Sequence, residues 1–301
     1  MADDEARRRH YGRFYGLDDA PTDRPIGLVV GNCQAESLRI ALGDGEVELV
    51  RMPAVHEIVP DDLPHLEHWL GQAAVLVTQP VKDDYHGMPL GSRQLAAAVP
   101  ASAVVCRIPV IRFAGLYPFH VIVRPPSDPS LTPPLVAYHD VRVLAEAAGL
   151  RMPSTASASA VHAIAEESLG QLRRREAAHD TVVASDLFAR PDFTQMRTLN
   201  HPGNPIWSAL AARVGESIGL PEVPPPLERP LLNSVHAPRE RAVIDAWGLD
   251  DEPIDSWGVG ALEVPTARVR EEHLQWYREH PEVVEAALAR HATTFDTLGL
   301  S

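Results

Sequence analysis

Two residues have the type and setting for nucleophilic or general-base chemistry: Cys33, where a helix opens, and His201, on a loop ahead of another helix. The stretch from Ile26 to Leu38 reads as a buried strand, a glycine turn and a helix start. Leu28 to Val30 is short, apolar and rich in β-branched residues, as a central parallel strand requires. Gly31 permits a sharp turn and close approach of the backbone to whatever lies above it. Asn32 is a favoured N-cap. Ala35, Leu38, Ala41 and Leu42 then share one helical face, and Gly43 supplies the stop. Cys33 therefore falls in a first helical turn at the carboxyl end of a strand. Free N–H groups and the helix dipole there favour a thiolate, an oxyanion or a phosphate. A cysteine in an arbitrary setting is more often a small core residue; the strand–Gly–Asn–Cys–helix context is what points to chemistry here.

His201 is held out of the α region by Pro202. Asn204 and Pro205 suit an N-cap and first position, opening a helix to about residue 217. A nucleophile at a helix N-terminus, a distant histidine as base and nearby amide donors together make an acyl-transfer site. The N–H groups around Cys33 and the side chains of Asn32 and Gln79 are candidate oxyanion donors. Asp180, Asp186 and Asp192 are alternative partners to orient the histidine.

The elements that must position these residues follow from periodicity. Strands are expected near 26–31, 46–52, 73–80 and 103–107, with helices near 33–42, 62–70 and 90–98. Strands alternating with helices predict an α/β fold with a mainly parallel sheet flanked by helices. Ligands of such sheets sit beyond the carboxyl ends of the strands. By that rule Asn32, Cys33, Gln34, Gln79 and Arg107 point at one crevice. Further helices are expected at 138–148, 158–175, 239–247 and 271–290. The domain plan is a polar arm at 1–24, an α/β catalytic domain at 25–220, a proline-rich linker at 221–230 and a helical C-terminal cap at 231–301. The cap is a lid or an oligomer contact, and a homo-oligomer through its helices is one expectation.

The 301 residues carry a formal net charge of −14, which argues against wrapping nucleic acid or an anionic membrane. Lys82 is the only lysine, so an anion site must use arginine. Met1 to Gly16 lacks the apolar core of a secretory signal, and no apolar run reaches the length of a membrane span. The two cysteines form no disulfide framework, consistent with reduced thiols in the cytoplasm. There is no GxSxG, P-loop or GxGxxG signature. His65, His68, His139 and Asp140 lack a second ligand pair, so no metal is expected.

Gly31-Asn32-Cys33-Gln34, Gln79-Pro80-Val81, Tyr117-Pro118 and Thr198-Leu199-Asn200-His201-Pro202 resemble the WcbI-like family of polysaccharide-biosynthesis acetyltransferases over roughly residues 25–218. The resemblance implies a coenzyme A thioester, such as acetyl-CoA, as acyl donor and a sugar hydroxyl as acceptor. A weaker likeness is to GDSL-type (SGNH) hydrolases, with Asn32 and Cys33 in place of their Asp and Ser. Those enzymes carry Asp three residues before the histidine, where this chain has Thr198. The resulting expectation is an acyltransferase acting on a hydroxyl or amine of a sugar or small metabolite. In it Cys33 and His201 are catalytic, and Asn32, Gln34, Gln79 and Asn200 bind the acyl group or substrate. Gly31 and Arg107 hold the coenzyme, the arginine by its charge and strand-end place. The rival expectations are a thioesterase or esterase using the same pair, and a non-catalytic binding protein.

Overall fold

The computed structural model describes residues 2–18, 23–43, 45–128, 130–220 and 226–300. In chain order it opens with α1 (Ala2–His10), β1 (Ile26–Val30), α2 (Cys33–Leu42) and β2 (Glu48–Val50). Next come α3 (Leu63–Gln72), β3 (Ala73–Thr78), α4 (Ser92–Ala98) and β4 (Val104–Arg107). The middle of the chain holds β5 (His120–Val121), β6 (His139–Asp140), α5 (Val141–Ala147), α6 (Ala158–His179), β7 (Met196–Thr198), β8 (His201–Pro202) and α7 (Asn204–Ser217). The C-terminal stretch adds β9 (Val235–His236), α8 (Arg241–Trp247), β10 (Ser256–Val259), β11 (Leu262–Pro265), α9 (Thr266–Glu279), α10 (Pro281–Arg290) and α11 (Ala292–Thr297).

The chain divides into two compact units assembled from interleaved stretches. The first holds Met1–Val110, Leu172–Leu187 and Asn204–Leu231; the second holds Ile111–Gln171, Phe188–Gly203 and Leu232–Ser301. This differs from consecutive blocks at 25–220 and 231–301. The strands and helices of the parallel sheet fall close to where the sequence places them, but periodicity carries no information on which distant segments pack together. Residues 221–225 of the proline-rich stretch lie outside those described.

The first unit is built on a four-stranded, all-parallel sheet in the order β2-β1-β3-β4. Its central strands are nearly continuous apolar runs because helices cover both faces. All five residues of β1 are buried. Residues 2–16, read above as a polar arm, carry α1 and then send Phe14 and Tyr15 into the core at 1% and 5% exposure. The anchor is Asp62, whose carboxylate accepts from Arg7 at 2.7 Å and from the Tyr15 hydroxyl at 2.7 Å. Burial alone would raise the Asp62 pKa. Arg7, the Val59 amide and Tyr15 outweigh it and hold the carboxyl below its usual range.

The second unit contains the antiparallel sheet β11-β10-β9 and the two-stranded pairs β5-β6 and β7-β8. The C-terminal stretch is therefore not purely helical. The expected helix at 271–290 is two helices, α9 and α10, separated at His280, with Pro281 opening the second. Proline cannot continue α9 because it lacks the N–H that the helix ladder needs. Among the described residues no helix is long and apolar enough to cross a membrane.

Candidate functional site

The turn between β1 and α2 takes the form its sequence dictates. Asn32 has extended backbone dihedrals and caps α2, its Oδ1 accepting from the Gln34 N–H at 2.9 Å. Gly43 closes the helix at φ 73°, its N–H donating to the Arg39 and Ile40 carbonyls. Gln79 follows β3 and crosses to the turn. Its Oε1 accepts from the Asn32 N–H at 2.8 Å, and its Nε2 donates to Gln34 Oε1 at 3.3 Å. A Cβ on residue 31 would lie 2.4 Å from Gln79 Oε1, which is why glycine stands there. Gln34 and Gln79 are 1% and 2% exposed.

These contacts redistribute the expected roles. Gln34 and Gln79 brace the turn with their buried amides, and the N–H groups of Asn32 and Gln34 are already engaged within it. The Asn32 Nδ2 group makes no hydrogen bond among the described residues, so it and the Cys33 backbone N–H are the donors left over at this turn. Cys33 is exposed on the first residue of α2. Its thiol is pushed up by desolvation; the backbone amides of Cys33 and Gln34 oppose that shift, and Glu57 adds to it. The helix start acts in the anticipated direction but does not prevail, so the thiolate expected at this position is not favoured.

Arg107 ends β4 in register with Thr78, at the same carboxyl edge of the sheet. Its carbonyl accepts from Val182 N–H at 2.8 Å. Its guanidinium makes no hydrogen bond or ion pair among the described residues and is available to an anion.

His201 belongs to the second unit, on the two-residue strand β8 paired with β7. A Cβ at Gly203 would lie 1.9 Å from the Thr194 carbonyl oxygen, so the chain after His201 passes too close for any side chain. His201 Nε2 lies 3.4 Å from the Tyr138 hydroxyl, and its Nδ1 is buried without a hydrogen-bond partner. The Tyr138 hydroxyl donates to Asn200 Oδ1 at 2.7 Å and accepts from the Thr198 hydroxyl at 2.9 Å. Asn200 is thus a member of the histidine's own polar network. Burial pushes the imidazole down to about 4; Arg197 and His236 add to this and the Val235 backbone opposes it. At neutral pH the ring is uncharged and able to accept a proton.

Two of the three aspartates proposed to orient His201 are engaged elsewhere. Asp186 pairs with Arg213 at 2.6 Å in the first unit. Asp192 closes its own turn, with Oδ1 accepting from the Thr194 N–H at 2.7 Å. Asp180 follows α6 in the first unit with φ 50°. Tyr138, Thr198 and Asn200 stand next to the imidazole instead. Position 198 carries a buried hydroxyl where a carboxylate would be looked for, and Tyr138 lies 63 residues away from His201, so no local pattern could show it.

The histidines weighed as metal ligands pack against rings or carbonyls. His65 meets Phe14 and Tyr15, and His139 bonds the Tyr277 hydroxyl at 2.6 Å and the Val123 carbonyl at 3.1 Å. No group of three metal-binding side chains occurs among the described residues.

The first unit, a parallel sheet with a capped cysteine helix at its carboxyl edge, and the second, with its short strand pairs and helices, make this an α/β protein. The chain belongs to the WcbI family of polysaccharide-biosynthesis enzymes, whose family model, "Polysaccharide biosynthesis enzyme WcbI", matches residues 26–223. A solved WcbI structure superposes with a TM-score of 0.76 at 16% identity, covering 92% of this chain and 98% of that one. That structure is described as a novel polysaccharide biosynthesis enzyme, the native protein without a disulfide bond between coenzyme A and one of its cysteines. No curated protein matches the chain.

Proposed function

We propose that this enzyme transfers an acyl group, acetyl in the simplest case, from a coenzyme A thioester to a hydroxyl of a sugar or small metabolite. The observation that carries the reading is the Cys33 turn: an exposed thiol on the first residue of a helix, braced from below by Gln34 and Gln79. The description of the WcbI structure, which pairs coenzyme A with a cysteine, supports the same ligand. The residues at the sheet edge suit such a donor. Arg107 offers an unpaired guanidinium for phosphate, and Asn32 Nδ2 offers a hydrogen bond to the thioester oxygen.

In this reading the acceptor O–H attacks the thioester carbonyl and His201 takes its proton. The new C–O bond forms, the C–S bond breaks, and the imidazolium returns the proton to the departing thiolate. The upward shift of the Cys33 thiol and the neutral His201 favour this direct transfer, with Cys33 lining the thioester site, over an acyl-enzyme.

Acetyl-CoA turnover measured with and without a pool of sugar acceptors tests this. Thiol release should depend on the acceptor. His201→Ala should lower it by about 10²–10⁴-fold, the usual scale of general-base catalysis, and Cys33→Ala by no more than about tenfold. Release that ignores the acceptor would establish hydrolysis instead.

A further inference from the structure

The second unit contains a cavity of about 840 Å³, bounded by α5, α8, α9 and β10. This lies in the range of roughly 300–1,000 Å³ typical of small-molecule sites. None of the catalytic, substrate-binding or coenzyme-binding residues expected from the sequence lines it, and the family match ends at residue 223, before half of its wall.

Its wall carries many fixed polar groups and little free charge. Arg142 is clasped by Asp140 at 2.6 Å and by Glu240 at 2.7 Å, and Glu146 is paired with Arg270. The Asp255 carboxylate and the Arg151 guanidinium also line the cavity, and neither makes a hydrogen bond or ion pair among the described residues. One free carboxylate and one free guanidinium suit neither a strongly anionic nor a strongly cationic ligand.

His120 is the informative group. It lines the cavity at only 7% exposure, and its Nδ1 has no hydrogen-bond partner. Burial pushes its pKa down to about 4, so the ring is neutral, and the edge it exposes presents a donor or an acceptor according to the tautomer. A hydroxyl, which both donates and accepts, is the complement of such a ring. His120 is held between Tyr117, 6.0 Å away, and Trp257, 4.8 Å away, and Trp257 stacks in turn on Tyr138 at 5.5 Å. This column fixes the imidazole and fills the wall with aromatic edges. Tyr138 also lines the cavity, and its hydroxyl is the one 3.4 Å from His201 Nε2.

We infer that this cavity is the acceptor site and that it takes a neutral polyhydroxylated ligand, a pyranose or short glycoside. His120, Asp255 and Arg151 would bond its hydroxyls, with Tyr138 in the same wall and its hydroxyl 3.4 Å from the His201 base. The inference rests on the acyl-transfer reading for the fate of the sugar, while the binding itself can be measured alone.

The test uses the full-length protein with methyl mannopyranoside, methyl glucopyranoside and methyl galactopyranoside, followed by saturation-transfer NMR and titration. At least one glycoside should bind saturably. Its affinity should fall at least tenfold in Asp255→Ala, an exposed position, and its signal should vanish in Ala242→Trp, which fills the cavity. Cys33→Ala should bind normally. Unfolding midpoints check both cavity variants, and Asp255→Ala decides if Ala242→Trp is destabilised. Absence of binding by all three glycosides, binding indifferent to Asp255→Ala, or loss of coenzyme A binding in its place would overturn the assignment. Glycoside binding that follows the variants without acetyl-CoA turnover would refute acyl transfer and leave the sugar cavity standing. Turnover whose acceptor KM ignores both variants would do the reverse.

Discussion

His201 carries the sharpest expectation at the scale of single residues. Its pKa of about 4 lies well below the usual histidine value because the ring is desolvated beside Arg197 and His236. The active form of a base is the unprotonated one, so kcat/KM for acceptor-dependent transfer should stay flat from pH 8 to 6. It should bend downward only as pH approaches 4, provided the enzyme stays folded in the assay. A pH–rate profile with its acid limb near 6.5 would contradict this setting. Cys33 and His201 stood out as candidates by residue type, N-cap grammar and the histidine–proline dipeptide. The environment of each was not. Desolvation of the thiol and the Tyr138–Thr198–Asn200 network around His201 depend on groups brought in by tertiary packing.

Among elements, the β1–α2 turn is the part most fully written in the sequence. Alternation of buried strand, glycine, asparagine and helix specified it to within a residue, and Gly43 ended α2 where a C-cap was anticipated. Its dependence on Gln79 was only half visible. Strand-end placement put Gln79 near the turn, but the side chain proves to be a brace whose Oε1 is spent on the Asn32 N–H. Gly31→Ala should drive this amide aside and destabilise the protein by about 1–3 kcal/mol, the scale of overpacking and of a buried amide left unpaired. The double variant Gly31→Ala with Gln79→Ala should recover part of that loss, because the clash disappears with the side chain. Urea unfolding of the two single variants and the double variant measures the coupling. Strict additivity would show that the two residues do not interact as described.

At the scale of the whole molecule, burial lowers the pKa of six described histidines of the second unit, and three of them fall furthest: His120 and His201 to about 4 and His139 to about 3, with His236, His273 and His291 shifted in the same direction. In the unfolded chain each titrates near 6.5. The folded state therefore binds fewer protons between those values, and stability rises with pH across that window. Their contribution is complete above pH 6.5 and is lost as pH falls toward 4. The loss is at most about 1.4 kcal/mol per histidine per pH unit. The urea midpoint should drop steadily from pH 7 to 4.5, and a constant midpoint would show that these rings are not held neutral. None of this was accessible from composition, since the net charge of −14 says nothing about which histidines are buried. The interleaving of the two units was equally hidden. Phe14 and Tyr15 looked like part of a polar arm because the Asp62 that anchors them is 47 positions beyond Tyr15.

The rate at which iodoacetamide alkylates Cys33, followed by intact mass with and without coenzyme A, bears most directly on the proposal that the β1–α2 turn receives the thioester. Cys106 is buried, so a single adduct reports the exposed thiol. Saturating coenzyme A should slow alkylation at least tenfold in the wild-type protein and less in Arg107→Ala. An alkylation rate unchanged by coenzyme A would place the donor elsewhere and remove the basis for the proposed reaction.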